Sequence, residues 1–458
     1  MFQQGLLAEA ETLCRKIFET APGCPDANHL LGMIEQKAGR SEQAVKWFSM
    51  AIQENPDVAA YHGNLGNAFR DLGRLEDAVE SYQKTLSLKP DFLEAHSNLG
   101  VALKELGRLD EAVASFRAAL AIKPDYFKAH INLGNALLKM MLYEDAEASY
   151  RAALAVRPDS CNAHLWLANA LRRQNRREDA VASCRAALAL APDRAEAHSS
   201  LGTAFREMGR LDEAVDSYQR ALSLDQDNAG AHNNLGVALA DMGRLEDAAA
   251  SHLKALEIDP GNAEARYNLG LLHLMAGRFR EGWAGYALRW YLDEYADKPE
   301  FPQAPWDGST LAGKSILVWA EQGIGDEIMF AGMIPDLIET GARVTLECDH
   351  RLVPLYQRSF PGIECVPRAA PPVRETRRDD IDFQMPVGDF CGWFRADLAS
   401  FPARSGFLKA DPARTAALRA RYQERFPDKH IIGLSWRGGS QLTGAGRSIP
   451  LAGWLAIL

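Results

Sequence analysis

The chain has 458 residues, more than one ordinary hydrophobic core can organise, so two or three structural units are expected. Its composition, 47% hydrophobic and 24% charged, is typical of a globular protein, and no apolar run is long enough to span a membrane. The net charge is −10, and the whole acidic excess precedes Lys298. This disfavours nucleic acid as a partner, because phosphate binding needs a basic surface.

The N-terminus and the cysteines both predict a cytoplasmic location. Residues 1–18, MFQQGLLAEAETLCRKIF, carry acidic residues where a signal peptide has a basic and then an apolar segment. The seven cysteines show neither C-x-x-C nor metal-ligand spacing, so reduced thiols are expected. The cysteine spacing predicts no metal site, and no cofactor is expected.

The first 296 residues contain a repeat with a period of 34 residues. Segments such as HGNLGNAF at His62 and HNNLGVAL at His232 recur at this spacing, and a proline closes most units. A glycine recurs at one position of every unit except the fifth, which has Ala168 there: Gly32, Gly66, Gly100, Gly134, Gly202, Gly236 and Gly270. A period of this length is typical of solenoid folds.

Each unit is predicted to contain two antiparallel helices. In the second unit, Leu65, Phe69 and Leu72 lie three or four residues apart, as on one helical face. Gly73 is expected to end the first helix, because glycine turns left-handed without steric cost, and Pro90 is expected to end the second. Met141 and Asn175 replace the turn glycine in two adjacent units, which predicts local irregularity there.

The period and the Leu-Gly, aromatic, alanine and proline positions closely resemble those of the tetratricopeptide repeat. About eight full units occupy residues 25–296, and residues 1–24 match only a second helix, which is expected to be a leading half-repeat or capping helix. The resemblance implies an α-solenoid, a superhelix whose groove binds a protein or peptide.

Two repeated columns suggest functions. Histidines recur at His62, His96, His130, His164, His198 and His232, but helices 8–10 Å apart do not bring them close enough to share a metal, so a packing role is expected. Asparagines recur on one face of the first helices, at Asn64, Asn67, Asn98, Asn132, Asn135, Asn169, Asn234 and Asn268. Their amides can bind extended peptide backbone, as in the similar repeat region of O-linked N-acetylglucosamine transferases, or can bond between repeats.

The pattern changes after residue 270. Trp283, Tyr286 and Trp290 form an aromatic stripe that is expected to close the repeat core and dock the next domain; a platform that stacks a sugar is the alternative. Residues 297–313 contain three prolines and are predicted to be a linker. Residues 314–428 alternate strands (SILVWA, RVTLEC, IECVP) with helices, which predicts a parallel sheet covered by helices.

The segment AEQGIGDEIMF follows the first of these strands, at a sheet edge where ligands bind. It lacks the third glycine of a dinucleotide fingerprint and the lysine of a Walker loop. Asp326 therefore has two possible roles: a helix cap, or a general base beside a turn opened by glycines.

The segment WDGSTLAGKSILVWAEQGIGDEIMFAGMIPDL looks like the glycosyltransferase-like domain that follows tetratricopeptide repeats in bacterial proteins and is related to the lipopolysaccharide heptosyltransferases. The resemblance implies a Rossmann-like domain, the N-terminal half of a GT-B glycosyltransferase. It also implies that Asp326 is the base of an inverting sugar transfer and that Gln322, Gly323 and Gly325 shape the acceptor pocket.

Residues 429–458, with IIGLSWRGGSQLTGAGRSIPL, look like the start of the second half of such an enzyme, incomplete at Leu458. The resemblance places Arg437, Ser440 and Arg447 near the phosphates of a nucleotide-sugar, which would be a substrate. Solvated charges in a Gly-rich loop are the alternative. Two hypotheses follow: a peptide-binding repeat protein with a glycosyltransferase-like domain, or a non-enzymatic scaffold with a vestigial enzyme half.

Overall fold

The computed structural model describes residues 12, 14, 16, 17, 23–292, 298–321, 323–403 and 406–427. The chain divides into two compact units, Met1–Leu269 and Gly270–Leu458. In the described part of the chain, every helix is too short or too polar to cross a membrane.

The first unit is a series of paired helices. Each pair has a first helix of 13 residues and a second of 14. The helices are α1 (Pro25–Lys37), α2 (Ser41–Glu54), α3 (Ala59–Asp71), α4 (Leu75–Leu88), α5 (Leu93–Glu105), α6 (Leu109–Ile122), α7 (Phe127–Lys139), α8 (Tyr143–Val156), α9 (Cys161–Arg173), α10 (Arg177–Leu190), α11 (Ala195–Glu207), α12 (Leu211–Leu224), α13 (Ala229–Asp241) and α14 (Leu245–Ile258).

The turn between the two helices of a pair needs one residue in the left-handed region. Gly39, Gly73, Gly107, Gly209 and Gly243 supply it, with φ between 72° and 78°. Such a residue ends a helix by letting the next amides bond back to its last carbonyls.

The predicted irregularity at Met141 and Asn175 is wrong. Both residues adopt the left-handed conformation themselves, with φ of 60° and 65°. The helices on either side keep the lengths of the other pairs. The repeat geometry therefore imposes the turn on residues that disfavour it, at a cost of about 1–2 kcal/mol for a residue such as methionine.

A glycine and an aromatic ring hold the two helices of most pairs together. An added Cβ on Gly66 would lie 2.7 Å from the ring of Tyr82, and one on Gly134 would lie 2.5 Å from the ring of Tyr150. The rings of Tyr82 and Tyr150 are fully buried, so they have no room to move away. The recurring glycine is therefore a packing requirement in these units.

The first helices of successive pairs lie closer together than the second helices do. The pairs α1–α3, α3–α5, α5–α7, α7–α9, α9–α11 and α11–α13 are all in contact. The asparagine column lies on these first helices. We call the side they share the inner face.

The second unit contains a five-stranded parallel sheet in the order β1-β5-β2-β3-β4. Helix α15 (Ala263–Met275) crosses the boundary between the two units. The remaining elements are α16 (Phe279–Tyr286), β1 (Ala304–Pro305), β2 (Ser315–Trp319), α17 (Ile324–Phe330), α18 (Ile334–Glu339), β3 (Arg343–Cys348), α19 (Val353–Ser359), β4 (Glu364–Pro367), β5 (Phe383–Pro386), α20 (Cys391–Phe394) and α21 (Pro412–Arg425). Strand β2 is buried along its whole length, which explains the apolar run from Ile316 to Trp319.

The segment predicted to be a linker takes part in this fold. Ala304 and Pro305 pair with β5 as a short edge strand, where proline is tolerated. Trp306 and Leu311 are buried in the core beside the sheet. The prolines excluded a helix and a central strand, as expected, but the segment is part of the α/β unit.

Candidate functional site

The asparagines of the inner face are half-buried and engaged in several ways. Asn64 bonds through Nδ2 to His29 Nε2 at 2.7 Å, and Asn98 Nδ2 donates to Asn67 Oδ1 at 3.0 Å. Asn268 Nδ2 donates to Asn233 Oδ1 at 3.1 Å. In each case the bond links one repeat to the preceding one, so part of the column has the structural role that was the alternative to peptide binding.

Asparagines at the second position of the column accept bonds from within their own repeat. Tyr82 donates its hydroxyl to Asn67 Oδ1 at 2.8 Å, and Tyr150 donates to Asn135 Oδ1 at 2.7 Å. Asn169 instead accepts from Arg172 at 3.1 Å.

Two members of the column are different. Asn132 and Asn234 are half-buried, and neither side chain makes a hydrogen bond to any other described residue. They are therefore the asparagines with the most hydrogen-bonding capacity left for a ligand.

The histidine column has a structural contact in each of the six repeats that contain it. Each ring uses Nε2 to bond the backbone carbonyl six residues earlier, in the loop before its helix, at 2.7–3.2 Å. The carbonyls belong to Pro56, Pro90, Pro124, Pro158, Pro192 and Gln226. These bonds support the packing role. Among the described residues, no three His, Cys, Asp or Glu side chains are grouped so that they could hold a metal ion.

In the second unit, the loop after β2 is open to solvent. Gly323, Gly325 and Asp326 are exposed, and a Cβ added to either glycine would meet nothing within 4 Å. Gly323 is the N-cap of α17, so Asp326 is not the capping residue; it lies in the first turn of the helix, where its charge still suits the helix dipole. Gln322 and the predicted donor residues Arg437, Ser440 and Arg447 lie outside the described residues.

A buried ion network lies between the carboxyl ends of β2 and β5. The guanidinium of Arg289, fully buried, contacts both carboxylate oxygens of Glu321 at 2.8 and 2.9 Å and Asp389 at 2.6 Å. The amide of Gly388 donates to Glu321 at 2.6 Å. Burial raises the pKa of Glu321, an effect that Arg289 opposes.

Two further buried glutamates, Glu327 and Glu347, lie near the ends of β2, β3 and β4. Glu327 is buried and accepts from the Asp349 amide at 2.8 Å, and Arg368 lies 3.4 Å from its other oxygen. Burial raises the pKa of Glu327. Glu347 on β3 is 1% exposed, and burial raises its pKa to about 7.

Sequence reasoning missed Glu321, Glu327 and Glu347, although acidic residues in or just after apolar strands were a signal for them. Glu321 and Glu327 make tertiary contacts with Arg289 and Arg368, and Glu347 is buried inside the sheet, which no local pattern shows.

The aromatic stripe packs within the second unit. Trp283 donates its indole N–H to the carbonyl of Arg395 at 2.8 Å, and Trp290 lies 5.1 Å from Trp319, between ring centroids. This agrees with the expectation that the stripe packs on the following domain. Trp283 also borders a cavity of about 340 Å³ with Trp306 and the half-exposed Trp393, so the sugar-platform alternative stays open.

Comparison with known families identifies the first unit. Models described as TPR repeat or tetratricopeptide repeat match residues 1–66, 66–107, 102–140, 131–195, 202–243 and 238–277. Residues 1–277 are a tetratricopeptide repeat array.

Individual relatives of this tetratricopeptide repeat protein match parts of it. Protein FlbA of Caulobacter vibrioides is 36% identical over 173 residues, which cover 34% of this chain and 28% of FlbA. The chain thus spans less than a third of that relative's length. Two solved structures of tetratricopeptide repeat proteins also match. The one from Parabacteroides merdae is 18% identical, covering 57% of this chain and 99% of its own with a TM-score of 0.46. The one from Thermus thermophilus is 27% identical, covering 40% and 99% with a TM-score of 0.36.

Proposed function

We propose that the tetratricopeptide repeat array binds extended segments of partner proteins along its inner face. The observation that carries this proposal is the row of half-buried amide side chains on adjacent first helices. An asparagine amide offers both a donor and an acceptor, so it can bond a peptide unit whatever side chain that unit carries.

The asparagine amides that have no partner among the described residues are the ones whose hydrogen bonds can add to the free energy of peptide binding. Asn132 and Asn234 have no described side-chain partner, whereas Asn64, Asn98 and Asn268 already bond the preceding repeat. One new hydrogen bond contributes about 0.5–1.5 kcal/mol net. Two amides together should therefore change affinity by roughly 5- to 150-fold.

The test is peptide binding by matched variants. Peptides selected from a random twelve-residue display library on the wild-type chain would be labelled and titrated by fluorescence anisotropy. The variant Asn132→Ala/Asn234→Ala should bind them more weakly and keep its thermal stability. The control Asn98→Ala should lose stability, because it breaks a bond between repeats. Unchanged affinity of the double variant would refute binding through these amides.

Transfer of a sugar from a nucleotide-sugar is a second candidate function for the α/β unit. It is supported by the exposed carboxylate of Asp326 at the carboxyl end of β2, a position typical of ligand sites in parallel sheets. Calorimetric titration with UDP, GDP and ADP and their sugar conjugates tests the donor site, and Arg447→Ala should abolish any binding. Asp326→Asn should abolish transfer and leave the fold intact; unchanged turnover would exclude the role.

Without nucleotide binding, the α/β unit would be a non-enzymatic part of a scaffold. For either function we propose a cytoplasmic location in a bacterial cell. The location is supported by the seven cysteines, all of which are unpaired. Formation of a disulfide in the purified protein under air, with retained fold, would weaken that proposal.

A further inference from the structure

The fifth repeat, residues 161–194, departs from the others at the points where its helices meet. Ala168 replaces the recurring glycine, and Cys184 stands where other repeats have an aromatic or histidine ring. Trp166 occupies the position of Asn64, Asn98, Asn132, Asn234 and Asn268. The departures are coupled, because a Cβ at position 168 would collide with a ring at position 184, as the 2.5–2.8 Å distances in the neighbouring repeats show.

The loss of the ring coincides with a cavity of about 260 Å³. Its buried lining includes Ala168, Ala180 and Cys184, and the indole of Trp166 also borders it. Asn169 and Arg172 of α9 and Glu196, Ser200 and Thr203 of α11 supply its polar lining. Because α9 and α11 are neighbouring first helices, the cavity lies on the inner face.

Two other repeats indicate what fits such a space. In the second and fourth repeats the ring of Tyr82 or Tyr150 packs on the glycine, and its hydroxyl donates to Asn67 or Asn135. Asn169 is the equivalent residue of the fifth repeat, where the ring is missing. The fifth repeat therefore keeps the polar group that accompanies a tyrosine and lacks the tyrosine itself.

We propose that this cavity, the fifth-repeat pocket, takes one aromatic side chain of a peptide bound on the inner face. The inference rests on the proposed function of the array and specifies the peptide: it carries a phenylalanine, tyrosine or tryptophan anchor. A cavity of roughly 150 Å³ already holds benzene, so the volume is sufficient for a ring. The face of Trp166 and the apolar lining bury the ring, while Asn169 and Ser200 bond the adjoining peptide backbone.

The electrostatics of the pocket suit a neutral side chain. Arg172 forms an ion pair with Glu207 and also donates to Asn169, so its charge is balanced at the edge of the cavity. Glu196, the other charged residue of the lining, is exposed and pairs with Arg194. The thiol of Cys184 is 1% exposed, and its pKa is raised to about 12 by burial, so the lining carries no thiolate at neutral pH. A charged anchor would lose its hydration without gaining an unpaired counter-charge.

The test fills the pocket with a tyrosine side chain of the protein itself. The variant Ala168→Gly/Cys184→Tyr restores the glycine–tyrosine pair of the second and fourth repeats and should fold, which circular dichroism and thermal unfolding verify. Wild-type chain is used to select peptides from the random twelve-residue library. We expect these peptides to share an aromatic residue, and the filled variant to bind them about 10- to 100-fold more weakly, the value of burying one such side chain.

Three further measurements make the result specific. Changing the peptide's aromatic residue to alanine should weaken binding to the wild-type chain by the same factor and leave binding to the filled variant unchanged. Ala182→Tyr adds a tyrosine at an exposed position of the same helix, outside the pocket lining, and should retain affinity. Trp166→Asn inserts the residue that five other repeats have at this position, so it carries little risk to folding. It should weaken the binding of aromatic peptides several-fold.

The outcomes separate this inference from the proposed function. Equal affinity of the wild-type and filled chains, together with weakened binding by Asn132→Ala/Asn234→Ala, would overturn the pocket and leave the array a peptide binder. Selected peptides without an aromatic residue would also overturn the pocket. No peptide binding to the wild-type chain would remove the proposed function, and the inference with it.

Discussion

The carboxyl group of Glu347 gives the α/β unit a pH-dependent stability. The side chain lies on the interior strand β3, is 1% exposed, and its Oε2 has no hydrogen-bond partner among the described residues. Burial raises its pKa from 4.5 to about 7. The folded state therefore binds the proton more tightly than the unfolded state, so this group lowers stability as pH rises from about 4.5 to about 7, and the loss is complete above that range.

The magnitude follows from the size of the shift. At 1.36 kcal/mol per pKa unit, the change from 4.5 to about 7 corresponds to roughly 3 kcal/mol at pH 8. Replacing Glu347 with glutamine keeps the shape and removes the ionisation. Glu347→Gln should therefore stabilise the unit by about 3 kcal/mol more at pH 8 than at pH 4.5.

The assay must report the α/β unit separately from the array. Urea unfolding between pH 4.5 and 8, read by pulsed hydrogen–deuterium exchange of peptides from β2 and β3, does this. Glu364→Gln on the neighbouring strand is the control, because Glu364 is exposed and its surface ion pair with Arg378 should contribute less than about 1 kcal/mol. A difference between wild type and Glu347→Gln that is the same at every pH would refute the reasoning.

Three further predictions concern packing and backbone. Met141→Gly should stabilise the array by about 0.5–1 kcal/mol in thermal unfolding, because Met141 has φ of 60° and is 73% exposed, so relief of strain exceeds the cost of glycine; a destabilised variant would contradict this. Gly134→Ala should destabilise by about 1–3 kcal/mol through collision with Tyr150, whereas Gly63→Ala, whose nearest neighbour would be 3.6 Å away, should stabilise slightly; equal effects would exclude the collision. Arg289→Met should destabilise the α/β unit by about 3–5 kcal/mol in urea, and a loss below 1 kcal/mol would show that Glu321 and Asp389 do not depend on it.

The sequence predicts a strand or a turn well where a single local pattern determines it. The strand RVTLEC is β3 from end to end, and Gly73 ends its helix with a left-handed turn as expected. The same rule misled at Met141 and Asn175, because glycine is the preferred residue at that turn and not a necessary one. Packing across many repeats supplies the energy that these two residues lack.

Other features depend on contacts between distant segments. The strand β5, FQMP, is short and has no alternation, and it is defined by its pairing with β1 and β2. The network of Arg289, Glu321 and Asp389 joins three segments separated by more than thirty residues. The fifth-repeat pocket was visible only in part, since the sequence shows the alanine at position 168 but not the cavity beside it.

The sheet order bears on what the α/β unit can bind. In open parallel sheets, ligands occupy the crevice where the strand order reverses, which here lies between β2 and β5. Arg289 and Glu321 fill that crevice with a buried ion pair, and Gly388 bonds to it from the β5 side. A ligand that uses Asp326 would therefore lie towards β3 and β4, near Arg368. In the proposed sugar transfer this ligand is the acceptor, so Arg368→Ala should weaken transfer and leave nucleotide binding, which was assigned to Arg447, unchanged.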